Sequence, residues 1–201
     1  MKQIALTGGF GTGKSTVGRM FEDMGIPRID ADVLAHELIQ PDRMAWRQIV
    51  SRFGEDILTP DRTIDRQKLG EIVFNDPVQR RTLEAIIHPK VREAMHNKIE
   101  ELRKKGQKRV ILEIPLLFEA GWNVEEPLDA IVVVTADEKT QAERAKKKFG
   151  LSEAAIKARI AAQLPLEKKA KQATFVIDNN KDLAATKKQA EKVFKQLPNN
   201  N

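Results

Sequence analysis

Eight residues near the start, Gly8-Gly9-Phe10-Gly11-Thr12-Gly13-Lys14-Ser15, separate an apolar run, Ile4–Leu6, from a stretch with Val17, Met20 and Phe21 at helical spacing. Four glycines and a lysine at that point dictate a strand, a tight turn and a helix that starts at once. Glycine lets successive N–H groups point into one concavity, and the helix adds its positive N-terminal end. The segment fits the spacing G-x4-G-K-[ST], with Thr16 following. A turn of this kind cradles phosphates: Lys14 reaches the β- and γ-phosphates, and the Ser15 hydroxyl is placed to ligate Mg²⁺.

A strand feeding a helix in this way belongs to a parallel sheet, and the rest of the chain agrees. Strand-like segments recur as QIALT from Gln3, IPRID from Ile26, RVILEI from Arg109, AIVVV from Ala130 and FVIDN from Phe175, with helical patterns between them. That alternation predicts an α/β fold, a five-stranded parallel sheet flanked by helices. Thr135-Ala136-Asp137-Glu138 reads as a T-x-x-E capping box opening the helix after the fourth strand. From about residue 41 to 106 no convincing strand occurs; helical periods are broken at Pro60, Pro77 and Pro89. This is a helical excursion on a single domain whose core covers about 1–40 and 107–201. A second excursion, a lid over about 145–172, carries two helical patterns divided near Gly150 and Pro165.

Composition limits the partners. The 201 residues carry a formal charge of +6 but have few aromatics, none interleaved with the basic runs as a base-stacking surface requires. A phosphate-rich small molecule is the expected partner, with no nucleic acid. The N-terminus reads as a strand and no apolar run approaches a membrane span, so a cytoplasmic protein with no membrane association is expected. Absent cysteines exclude thiolate chemistry, and His36, His88 and His96 form no metal-ligand spacing. No D-x-x-G occurs, and Asn180-Lys181-Asp182 places its aspartate one position too early for a guanine reader. A small-molecule phosphotransferase therefore fits better than a GTPase switch.

Such a reaction needs a carboxylate near the attacking hydroxyl. IDAD, Ile29–Asp32, ends the second strand, and strand alternation would put Asp30 and Asp32 on one side, facing the crevice at the carboxyl ends of the strands. Glu113 ends the third strand, at the position where P-loop proteins often keep an acid facing Mg²⁺. Arg144 can fork onto phosphate oxygens. His36, four residues after Asp32, would share its helix face. His88, before Pro89, is read as organising a helix junction, and Trp46 and Trp122 as packing.

Together, ALTGGFGTGKST, IDADVLAH, IIHP, EIPLLFEAG and RIAAQLPLEKKAKQATFVIDNN resemble the dephospho-CoA kinase family, in order, from Ile4 to about Asn180. The resemblance implies a fold like that of P-loop nucleoside monophosphate kinases, with helical substrate-binding and lid excursions. It also implies ATP-dependent phosphorylation of the ribose 3′-hydroxyl of dephospho-CoA, the final step of coenzyme A biosynthesis. Another small-molecule P-loop kinase, such as a nucleoside monophosphate kinase, is the alternative. By position, Gly11, Thr12, Gly13, Lys14, Ser15 and Thr16 would bind ATP and Mg²⁺, with Asn179 near the adenine pocket. Asp32 would be the catalytic carboxylate, acting with Lys14 and Arg144. Thr7, His36, His88, Leu117, Phe118 and Glu119 would contact the acceptor, and Ser15 and Glu113 would serve the metal. The family pattern has an arginine four residues after Arg144, where this chain has Lys148. A monomer or weak homo-oligomer is expected.

Overall fold

The computed structural model describes residues 1–125 and 128–199. In chain order it contains β1 (Lys2–Gly8), α1 (Lys14–Asp23), β2 (Arg28–Asp30), α2 (Ala31–Leu38), α3 (Met44–Phe53), a 3₁₀ turn (Glu55–Ile57), α4 (Arg66–Asn75) and α5 (Pro77–Lys104). Then follow β3 (Arg109–Glu113), α6 (Trp122–Glu125), β4 (Ala130–Thr135), α7 (Glu138–Phe149), α8 (Glu153–Ala161), α9 (Leu166–Ala170), β5 (Phe175–Asp178) and α10 (Leu183–Gln196). Two compact units result: Met1–Asp30 together with the chain from Glu101 onward, and Ala31–Glu100.

The first unit holds the sheet. Its order is β2-β3-β1-β4-β5, and every pairing is parallel. β1 is central, and Ile4, Ala5 and Leu6 are fully buried, as is Val132–Val134 of β4. Strands covered on both faces need continuous apolar runs rather than alternation, which is why these segments are legible in sequence. Val17, Met20 and Phe21 of α1 and Ala190 and Val193 of α10 close over one face. All five expected strands are present. β2 is shorter than the expected segment because Pro27 has no N–H to donate; its carbonyl still accepts from Ile111 N.

Two local expectations are corrected. Thr135 does not cap α7: it ends β4, and its carbonyl accepts from Asn179 N. The cap is Asp137, whose side chain accepts from Thr140 N. That bond, foremost, holds the Asp137 carboxyl below its usual pKa. Pro89 does not break a helix, since α5 runs through it, whereas Pro77 begins α5. Proline suits a first helical position, where an N–H would be unpaired anyway.

The second unit is helical and has its own core of Trp46, Ile49, Ile57, Ile64 and Leu69. Trp46 Nε1 donates to Arg62 O at 2.9 Å, and the Arg62 guanidinium lies over its ring at 5.2 Å. An isolated antiparallel bridge joins Leu58 and Ile64. Among the described residues, no helix is long and apolar enough to cross a membrane.

Candidate active site

The turn after β1 is shaped by its own backbone. Gly11 has φ 77°, a left-handed conformation, and a Cβ there would come within 2.6 Å of the Gln141 carbonyl. No other residue passes so close to α7 without displacing it. The Thr12 hydroxyl donates to Gly9 O at 3.0 Å, closing the turn on itself. Gly13, also left-handed at φ 89°, is the N-cap of α1, yet no side chain caps that helix and its first turn holds no acid. The helix thus presents its positive end and first N–H groups towards the turn, an arrangement that favours an anion. Lys14 Nζ lies inside, donating to Gly9 O at 3.0 Å.

Below the turn lies a chain of charge. Ser15 Oγ donates to Glu113 Oε1 at 2.7 Å. Glu113 is only 2% exposed, and its Oε2 accepts from Arg28 Nη1 at 2.8 Å. The same Nη1 reaches Asp30 Oδ2 at 2.9 Å, while Arg28 Nε pairs with Glu22 Oε2 at 2.8 Å. Burial works against the Arg28 cation, but the Glu22 and Glu113 carboxylates outweigh it and raise its pKa above the ordinary value. Asp30 is therefore one of the acids gathered on Arg28. The expected alternation with Asp32 does not occur, because the strand ends at Asp30 and α2 begins at Ala31.

Residues from the far end of the chain hold the turn from the other side. Asn179, 5% exposed, donates Nδ2 to Thr12 O at 2.8 Å and accepts the Thr186 hydroxyl on Oδ1 at 2.7 Å. Arg144 Nη1 reaches the same Thr12 carbonyl at 3.5 Å. Phe10 N donates to Gln163 Oε1 at 2.8 Å, and the Phe10 ring stacks on Phe149 at 5.4 Å beneath the Arg159 guanidinium. Lys148 lies over the Phe149 ring. Asp182, of the guanine-reader lookalike, caps α10 instead.

The turn 115–121 is anchored to the same region. The Thr7 hydroxyl donates to Pro115 O at 3.2 Å. Glu119 Oε1 receives the buried Lys169 Nζ at 2.7 Å and Leu164 N at 2.9 Å. Lys169 Nζ also lies 3.4 Å from Gly8 O. Leu117 is fully buried and Phe118 partly so. Arg28, Gln163 and Lys169 carry much of this framework and were not singled out from the sequence. The only sign of Arg28 was its place just before IDAD.

Three expected residues lie in the second unit. Asp32 and His36 sit four apart on α2, both exposed. His36 Nδ1 accepts from Arg66 Nη2 at 2.6 Å. His88 lies inside the continuous α5 rather than at a junction. Burial, with Arg92 nearby, lowers its pKa against the opposing pull of Glu84. It shares an open groove of about 560 Å³ along α5 with Arg92 and His96.

Chemically, the first unit offers backbone donors, a lysine and an arginine around one turn, with a hydroxyl and a carboxylate at its base. These suit the neutralisation of a polyphosphate. A family model described as dephospho-CoA kinase matches residues 2–185. Dephospho-CoA kinase from Geobacillus kaustophilus is 45% identical over 193 residues, covering 96% of this chain and 95% of that protein. The crystal structure of a Thermus thermophilus protein matches with a TM-score of 0.84 at 33% identity, covering 98% of both chains. Dephospho-CoA kinase from Campylobacter jejuni matches with a TM-score of 0.70 at 32% identity, covering 98% of this chain and 97% of that one. With its phosphate turn, parallel sheet and near full-length similarity, the chain belongs to the dephospho-CoA kinase family.

Proposed function

We propose that this protein transfers the γ-phosphoryl group of ATP to the ribose 3′-hydroxyl of dephospho-CoA, forming coenzyme A. The observation that carries the reading is the phosphate turn, with Lys14 inside it and the Ser15–Glu113 pair at its base, in a chain of this family. The N–H groups of residues 11–16 hold the triphosphate. Lys14 and Arg144 offset the charge that develops as the phosphoryl group moves. Asn179 fixes the Thr12 carbonyl and so keeps the cradle in shape beside the adenine end. Asp32 accepts the proton of the 3′-hydroxyl, the part a positioned carboxylate plays in such a transfer. Thr7, His36, His88 and the segment Leu117, Phe118 and Glu119 serve the acceptor, Thr7 and Glu119 by holding the turn 115–121 in place.

Ser15 and Glu113 offer a hydroxyl and a carboxylate oxygen, hard donors of the kind Mg²⁺ takes beside substrate phosphates. Ser15 and Glu113 would hold the ion there, and it would supply positive charge to offset that of the triphosphate. The test incubates the protein with ATP, Mg²⁺ and each of dephospho-CoA, AMP, dTMP and shikimate, following ADP release. Phosphorylation of dephospho-CoA far faster than the others is expected. A preference for another acceptor rejects the assignment.

A further inference from the structure

We infer that Arg28 is a positioning residue for the divalent-cation site: it takes one oxygen of Glu113 and thereby commits the other to Ser15. This rests on the reading of Ser15 and Glu113 as the Mg²⁺ oxygens. Each Glu113 oxygen has a different partner, Oε2 with Arg28 Nη1 at 2.8 Å and Oε1 with Ser15 Oγ at 2.7 Å. The two oxygens are chemically equal, so the guanidinium is what distinguishes them.

Register makes a cation necessary at this point. Asp30 and Glu113 are paired residues at the carboxyl ends of the adjacent parallel strands β2 and β3. Like charges set side by side repel, the more so with Glu113 at 2% exposure. Arg28 Nη1 lies within 2.9 Å of both carboxylates, and Glu22 anchors the same guanidinium through Nε. Two nitrogens of one planar group thus serve three acids, which a lysine ammonium cannot do with the same geometry. Three carboxylates thus meet on one guanidinium beneath Ser15.

Helix α1 is cut away to make room. At Gly18 a Cβ would stand 2.7 Å from Arg28 Cδ and 2.9 Å from Glu113 Oε2. A side chain there would push on both members of the pair. The helix that carries Ser15 therefore passes over the pair with a bare position one turn later.

The experiment compares Arg28→Met, Arg28→Lys, Gly18→Ala, Glu113→Gln and the double variant Arg28→Met/Glu113→Gln. Two quantities are measured: half-saturating Mg²⁺ for turnover at saturating ATP, and Mn²⁺ binding to the ADP complex by electron paramagnetic resonance. Arg28→Met is expected to weaken both by about 10- to 100-fold, the range for residues that orient a metal ligand. Turnover at saturating Mg²⁺ should fall by a smaller factor than either of these quantities. Arg28→Lys should fall between, Gly18→Ala should shift the same two quantities, and the double variant should bind metal no worse than Glu113→Gln alone. If Glu113→Gln weakens metal binding but none of the Arg28 and Gly18 variants does, the role of Arg28 is refuted. Simple addition of the two effects in the double variant refutes it equally. Unchanged metal binding in Glu113→Gln would overturn the metal reading itself, and the inference with it.

Discussion

Replacing Lys169 with methionine offers a quantitative test of how the phosphate turn is held. The Lys169 side chain is 0% exposed and that of Glu119 is 20% exposed, with 2.7 Å between Nζ and Oε1. Methionine preserves length and apolar volume but leaves the Glu119 carboxylate without its cation. Removing one partner of a fully buried pair costs about 3–5 kcal/mol. Glu119 retains some contact with water and the Leu164 N–H, so roughly 2–3 kcal/mol is expected here. In a chain of this size each kcal/mol shifts Tm by about 2–4 °C, giving a fall of roughly 4–12 °C. Urea unfolding followed by circular dichroism, supported by thermal melts, measures the loss. Adding Glu119→Gln removes the stranded charge while keeping an acceptor for Leu164 N, and should recover about 1 kcal/mol or more. A Lys169→Met protein within about 0.5 kcal/mol of the parent would refute the argument, since that is the usual effect of a surface change. So would a double variant less stable than the single.

Asp32→Asn should keep ATP affinity in calorimetry while turnover falls by about 10² or more, the contribution of a positioned base; near-normal turnover removes Asp32 from that part. Gly11→Ala should lose about 1–2 kcal/mol in urea unfolding from the left-handed backbone alone, and parental stability would show that the turn moves freely away from Gln141. For His88 the folded-state pKa is depressed from 6.5, chiefly by burial. The unfolded chain therefore takes up the proton first as pH falls, so stability is fully present above about pH 6.5 and declines below it. Melts between pH 7.5 and 5.5 should show that His88→Gln loses less stability on acidification than the parent; an equal loss contradicts the shift.

Features set by neighbours in the chain were the readable ones. The five strands are apolar runs because both sheet faces are covered, and the phosphate turn is a spacing of glycines that local backbone geometry demands. Where two signals overlapped, sequence misled. Thr135 and Asp137 both resemble caps, and strand pairing of Thr135 with Asp178 decides the matter for Asp137. Asp30 and Asp32 could share a side only while the strand lasted, and it stops between them. The framework behind the turn was hidden for a different reason. Arg28 meets Glu113 across 85 positions, Gln163 meets Phe10 across 153, and Lys169 meets Gly8 across 161. Nothing in the local pattern around an arginine, a glutamine or a lysine names a partner so remote.

Strand β1 has its own consequence for biosynthesis. Its two neighbours in the sheet are β3 and β4, which begin at Arg109 and Ala130. On a ribosome adding about 5–20 residues per second, Ile4–Leu6 is made well before β3 and β4 and waits several seconds for either partner strand. During that interval an apolar, edge-forming segment stands open to other nascent chains. A segment fully buried in the finished protein is thus left uncovered for seconds while the chain is being made.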